Sequence, residues 1–142
     1  MTIAAILSSK GKEVATIGAG DRVSAAVETL GGRRIGALPV VEGDRIVGII
    51  SERDVIYCLR DHGAAVLEWK VDRLMTTPAI TAAPDTAVLA GLALMTQRRI
   101  RHLPVVEGDQ IRGIVSIGDL VKHRMERIEA DAEAMRAYIQ SA

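Results

Sequence analysis

Residues 35–56, IGALPVVEGDRIVGIISERDVI, return sixty-five positions later as residues 100–121, IRHLPVVEGDQIRGIVSIGDLV, and thirteen of the twenty-two positions are identical. A repeat this close is one structural unit built twice. Neither half is large enough to bury an adequate core alone, so the two are expected to pack face to face, with function between them.

Working outward, each copy shows the same order of signals. A short extended piece (Val14 to Ile17; Ala79 to Ala82) precedes a turn rich in Gly, Pro and Asp. Val23, Ala26, Val27 and Leu30, and then Val88, Leu92 and Met95, recur at helical spacing. Those helices end in Arg33-Arg34 and Arg98-Arg99, cations suited to the carbonyl end of a helix. Hairpins follow, from Leu38 to Ile50 around Glu42-Gly43-Asp44 and from Leu103 to Val115 around Glu107-Gly108-Asp109. Pro39 and Pro104 cannot donate to a ladder, which places their strands at an edge or a bulge and leaves backbone groups free. A second helix starts at Ser51 and at Ser116. The fold class is therefore α/β (α+β), two β-α-β-β-α units joined through Ala64 to Thr77, with an extended C-terminal helix. The expected division is 1–66, an N-terminal helix and the first repeat, 67–124, the second repeat, and 125–142, the helical extension.

That extension carries Val121, Met125, Ile128, Ala132, Met135 and Ile139 at steps of four, three, four, three and four, a heptad-like seam. Such a stripe needs a cover, either its own domain or a second copy of the chain. The second copy is preferred, giving a homodimer.

Bulk composition excludes several classes. Lys plus Arg and Asp plus Glu number 18 each, so no general field attracts nucleic acid or anionic lipid. There is one Trp, two Tyr and no Phe to stack bases. Cys58 is the only cysteine, which rules out an internal disulfide or a cysteine-based zinc site, and on its helical pattern it reads as inert core. No apolar run approaches membrane-spanning length, and Met1 to Lys10 lacks the form of a signal peptide, so the expected location is cytoplasmic. His62, His102 and His123 have no metal-ligand spacing, and no Ser, His and Asp set reads as a triad. Gly18-Ala19-Gly20 lacks a dinucleotide fingerprint, and Glu129, Asp131 and Glu133 read as a solvated helix face. No enzyme, no metal and no catalytic cofactor is expected.

The sharpest motifs are GIISERD, residues 48–54, and GIVSIGD, residues 113–119. Each puts a hydroxyl and a carboxylate three residues apart where a strand enters a helix. One reading is a capping box, which leaves the repeated Gly and the repeated proline hairpin without a reason. The other is a ligand site, because helix amides suit an anion and a carboxylate can accept from both hydroxyls of a ribose.

On these residues the chain resembles the tandem cystathionine-β-synthase (CBS) domain pair, or Bateman module, over nearly all of residues 10 to 123. The resemblance implies two repeats packed through their sheets about a pseudo-twofold axis. It also implies two clefts that bind adenosine derivatives such as AMP, ADP, ATP, S-adenosylmethionine or NAD, and a crossed construction. One cleft would join Ser51 and Asp54 to Thr81, Ala82, Ile100, Arg101, His102 and Pro104. The other would join Ser116 and Asp119 to Thr16, Ile17, Ile35, Gly36, Ala37 and Pro39. Asp would hold ribose, backbone beside the proline strand would read adenine, and Thr, Ser and basic groups would hold phosphate.

The copies differ in charge. Arg101 and His102 face the first cleft, whereas Gly36 and Ala37 leave the second without an equivalent unless Lys122 substitutes. Phosphorylated ligands should then favour the Asp54 cleft. Arg53 is either a further phosphate contact or a solvated helix-start arginine. His102 is either a hydrogen-bonded residue near the core or a phosphate contact whose affinity rises as pH falls through the imidazole range. The expected role is a non-catalytic sensor that binds an adenine nucleotide and signals to a separate, unidentified effector protein. The alternative is a structural dimerisation module with empty or degenerate clefts.

Overall fold

The computed structural model describes residues 1–11 and 13–141. Lys12 and Ala142, which fall in the expected 1–66 and 125–142 segments, lie outside the described residues.

The first copy runs β1 (Ile17–Gly18), α2 (Val23–Arg33), β2 (Ala37–Glu42), β3 (Arg45–Ser51) and α3 (Glu52–His62), preceded by α1 (Ile3–Lys10). Two 3₁₀ turns, Gly63–Glu68 and Val71–Arg73, lead to the second copy: α4 (Val88–Arg98), β4 (His102–Glu107), β5 (Gln110–Ser116) and α5 (Ile117–Ser141). The expected two-unit α/β architecture with an extended last helix is what forms. Its sheets are β1-β2-β3 and β4-β5, and β3 touches β5 across the interface between the copies. In the second copy the leading extended piece shrinks to one parallel bridge, Ala82 with Val105.

Hairpin chemistry follows the repeated Gly-Asp turn. Gly43 and Gly108 take φ of 61° and 64°, left-handed values that any Cβ would penalise. Both ladders slip one residue beyond the proline, where Val40 pairs with Gly48 and Val41 with Ile46, skipping Val47. The same slip skips Arg112 in the second copy. The proline strand thus meets its bulge, but in the first copy it is not an edge: β2 is the middle strand of its sheet. Nor is the backbone free in the second copy, since Ala82 N–H donates to the Pro104 carbonyl at 2.9 Å and Val106 N–H to the Ala82 carbonyl at 2.8 Å.

Each core draws on a segment outside its own repeated unit. Ile17, Val23, Ala26, Leu30, Leu38, Val40 and Ile50 form one core together with Val66, Val71 and Leu74 from the linker. The second gathers Val88, Met95, Leu103, Val105, Val115 and Leu120, and is closed by Ile3 and Ile6 of α1. Each copy is therefore capped by the segment that precedes the other copy's strands. Main-chain bonds anchor the chain start there, with Ile3 N–H to the Thr86 carbonyl and Ala4 N–H to the Pro84 carbonyl, both 2.9 Å.

This capping explains the repeated strand glycines. A Cβ on Gly48 would lie 2.8 Å from the Thr76 carbonyl oxygen and 2.8 Å from Met75 Sδ, while one on Gly113 would lie 2.6 Å from Leu7 Cδ2. Those glycines serve close packing rather than ligand approach.

Gly48→Ala should cost roughly 1–3 kcal/mol, because backbone must move. Gly113→Ala should cost less, since only the end of a Leu side chain gives way. Gly31→Ala, inside α2 with open space around it, should instead stabilise by about 0.5–1 kcal/mol. Urea midpoints of the three variants check the order, and a Gly48→Ala protein as stable as the parent would contradict it.

Candidate functional site

Both acidic motifs sit where a strand becomes a helix. Ser51 caps α3: its Oγ accepts from Asp54 N–H at 3.3 Å, and Asp54 Oδ2 accepts from Ser51 N–H at 2.8 Å. Ser116 and Asp119 repeat this at the start of α5, at 3.1 and 2.9 Å. The capping box is real in both copies. It uses one carboxylate oxygen, leaving the other for further work.

The carboxylates meet different fates in the two copies. Asp54 Oδ1 has a long 3.4 Å contact from Thr76 Oγ1. At Asp119 the Lys10 ammonium arrives instead, donating to Oδ2 at 2.6 Å and to the Ile114 carbonyl at 3.0 Å. The cause is the crossed capping, because the sixty-five-residue offset places Lys10 where the first copy has Met75. Partial burial pushes the Asp119 carboxyl up, but the Lys10 and Ser116 hydrogen bonds outweigh it and hold the group below its ordinary 3.8.

A cavity of ≈ 200 Å³ opens beside Asp54. Ser51, Arg53 and Asp54 line it from the first copy; Ile100, Arg101 and His102 line it from the second. The structure thus brings the two halves of this expected set together. Thr81, Ala82 and Pro104 lie outside the lining, and Ile80, just before Thr81, takes their place. Ala82 and Pro104 are buried, with their backbone spent on the sheet.

The pseudo-symmetric cavity, ≈ 570 Å³, is lined by Ser116 and Ile114 with Ile35, Gly36 and Ala37, as the offset requires. Thr16, Ile17, Pro39, Asp119 and Lys122 lie outside its lining, with Ala15 in place of Thr16. The expected lack of charge there is corrected. Lys122 does not substitute, but Lys10, Arg33 and Arg34 supply cations, and Lys10 is already bonded to the carboxylate.

Sequence reasoning missed Tyr57, Thr76, Arg99 and Ile49 in the first cavity and Lys10 and Arg34 in the second. The arginines leave a signal, since they align across the repeat. Their pattern alone reads as helix-end cations; what the structure adds is their backbone. Arg34 and Arg99 take φ of 53° and 55° at the ends of α2 and α4, where glycine is the usual residue. Ile35 and Ile100 N–H close the turns onto the Leu30 and Met95 carbonyls at 3.1 and 3.0 Å. An arginine kept in this conformation twice, at each cavity rim, bears a strain of roughly 1 kcal/mol for its side chain.

Charge crosses the interface between the copies at the first cavity. Arg101 pairs with Glu52 at 3.1 Å, and Arg53 reaches the Arg99 carbonyl at 3.5 Å. His102 packs its imidazole on Gly36, where a Cβ would come within 2.7 Å of Cε1, and it borders both cavities. Burial, then Arg101, lower its pKa below the ordinary 6.5, with Glu52 opposing. A phosphate gain from its protonation is thereby displaced to more acid pH than the usual imidazole range.

The family model described as CBS domain matches residues 7–61 and 71–126. The chain is 36% identical over 148 residues to the CBS domain-containing protein CBSX3, mitochondrial, of Arabidopsis thaliana, covering 98% of this chain and 72% of that protein. Among solved structures it is similar to the CBS-domain containing protein ATU1752 from Agrobacterium tumefaciens, with TM-score 0.83, 34% identity and coverage of 87% and 99%. It is also similar to the CBS domain pair of protein MJ0100 in complex with 5′-methylthioadenosine and S-adenosyl-L-methionine, with TM-score 0.79, 25% identity and coverage of 89% and 98%.

Two substitutions probe the geometry. Arg99→Gly should raise stability by about 1 kcal/mol by relieving the left-handed backbone, read as a higher urea midpoint; a lower midpoint would refute the strain. Lys10→Met should move the Asp119 titration upward in a carboxyl NMR series. The stability that this pair contributes is complete above pH 3.8 and is lost as pH falls through the folded value. An unmoved Asp119 titration in the variant would show that Lys10 does not set it.

Proposed function

The chain belongs to the CBS-domain family as a tandem pair, and from that premise we propose that it is a non-catalytic sensor whose Asp54 cleft binds an adenine nucleotide of AMP size. Asp54 carries the reading. Its capping duty engages one oxygen firmly, while the other holds only a long Thr76 contact beside a cavity rimmed by Arg53, Arg99 and Arg101. In the proposed pose that oxygen accepts from the ribose hydroxyls. Ile49, Ile80 and Ile100 flank the base, Tyr57 stands at the mouth, and the arginines receive phosphate. The structure of the MJ0100 domain pair with adenosyl ligands supports this choice of chemistry.

Cavity size narrows the ligand. At ≈ 200 Å³ the first cleft falls below the roughly 300–1,000 Å³ of common small-molecule pockets, which favours AMP over NAD and puts phosphate in the open rim. The second cleft, with Ser116, Ile35, Gly36 and Ala37, is the weaker site, because Lys10 already neutralises Asp119, which lies outside the cavity lining. Signalling to a separate effector protein follows if ligand changes the angle between the copies. Binding can shift that equilibrium only by its difference in affinity for the two arrangements. The arginines that span the copies at the first cleft are placed to supply that difference. We take the working form to be a homodimer.

A second reading, a structural dimerisation module, gains from Lys10 neutralising the second carboxylate and from the exposed apolar side of α5. Calorimetry with AMP, ATP, NAD and S-adenosylmethionine separates the two. AMP should bind with one dominant site per chain. Asp54→Ala should weaken it at least tenfold, in line with charge-assisted bonds of about 1.5–3 kcal/mol each, and 2′-deoxy-AMP should also bind more weakly. Silence with all four ligands would leave the dimerisation module standing.

A further inference from the structure

Helix α5 begins as part of the second copy and ends as something else. Leu120 is buried in the second core, but Met125, Ile128, Met135 and Ile139 are exposed at 56%, 52%, 60% and 65%. Leu120 turns toward α1 and α4, whereas the seam through Val121, Met125, Ile128, Ala132, Met135 and Ile139 is centred about 100° around the helix. A neighbour can therefore lie along it beside the domain.

The occupant follows from the residues that flank the seam. Reading the steps as heptads puts Val121, Ile128 and Met135 at d and Met125, Ala132 and Ile139 at a, so that Arg124 and Asp131 are g positions and Lys122, Glu129 and Arg136 are e positions. In a parallel pair each g residue faces the e residue five positions on in the other chain. Arg124 then meets Glu129 of the partner subunit, and Asp131 meets Arg136 of the partner subunit. Both pairs are opposite in sign, and symmetry doubles them.

An antiparallel pair that closes the same six layers brings e against e and g against g. Glu129 then faces Glu129 of the partner subunit, Asp131 faces Asp131 of the partner subunit, and Lys122 faces Arg136 of the partner subunit. Every charged pair there is like in sign. Antiparallel registers that restore opposite charges slip by a heptad and leave two of the six layers uncovered. The ion pair that Asp131 makes within its own helix, to Arg127 at 3.8 Å, is long and exposed, so exchanging it costs little.

From this pattern we infer that α5 is the homodimer contact, a parallel two-stranded coiled coil running from Val121 to Ile139 with a second copy of this chain. The inference rests on the homodimer reading above and deepens it by naming the face and its direction; it does not depend on the nucleotide.

The test uses the full chain in sedimentation equilibrium across a concentration series, with helix content checked by circular dichroism. Glu129→Arg sets a second cation against Arg124 across the coil and should weaken the dimer about tenfold. Adding Arg124→Glu restores the opposite pair and should return the dissociation constant to within about threefold of the parent. In a chain with Cys58→Ser and Ile128→Cys, mild oxidation should link the copies, since d faces d only in the parallel arrangement. A dimer that survives Ile128→Lys with Met135→Lys unchanged, or that ignores the charge reversal and fails to cross-link, overturns the coiled coil and leaves a homodimer through another face. A parent chain that stays monomeric at every concentration overturns both.

Discussion

Everything in this molecule depends on a crossed closure of two small cores. The second core is incomplete until Ile3 and Ile6 arrive from the start of the chain, and the first until Val66, Val71 and Leu74 arrive from the linker. Burial of such side chains is worth roughly 1.5–3 kcal/mol each, too much for either copy to forgo. The copies are thereby held together, with β3 against β5 at the interface. The clefts are consequences of this arrangement. They open where the helix-capping carboxylate of one copy faces the segment before the proline strand of the other.

The same closure breaks the symmetry that duplication created. Both caps pass over a strand glycine beside a carboxylate, but one brings Thr76 and the other Lys10. A hydroxyl at 3.4 Å leaves Asp54 its full charge, whereas an ammonium at 2.6 Å, with a second bond to the Ile114 carbonyl, neutralises Asp119 at its capping oxygen. Two sites built from one repeated unit thus present different electrostatics. Charge at the rims is more even, because a strained arginine stands in both copies, at 34 and at 99.

α5 joins these themes in one helix. Its first turn holds the Ser116 and Asp119 pair that receives Lys10, Leu120 then enters the core, and the remainder carries the apolar seam. A change at the second carboxylate acts on the same helix that carries the exposed seam.

Much of this was legible in the residues alone. Periodicity placed α2 and α4, the Gly-Asp turns placed both hairpins, and the Ser to Asp spacing placed the starts of α3 and α5, because each is a local pattern with a local cause. The resemblance to the tandem CBS pair implied the crossed pairing of the first cleft, and Ser51, Arg53 and Asp54 do line one cavity with Ile100, Arg101 and His102. What the sequence could not show is what arrives from elsewhere in the chain. Nothing near Lys10 announces Asp119 more than a hundred positions away, and nothing near Gly48 announces Met75. The left-handed turns at Arg34 and Arg99 are local, closed by Ile35 and Ile100 on the Leu30 and Met95 carbonyls, but a pair of helix-end arginines does not announce them. Local pattern determined the elements and their duplication; packing decided which segment closes which core, and so which carboxylate meets an ammonium.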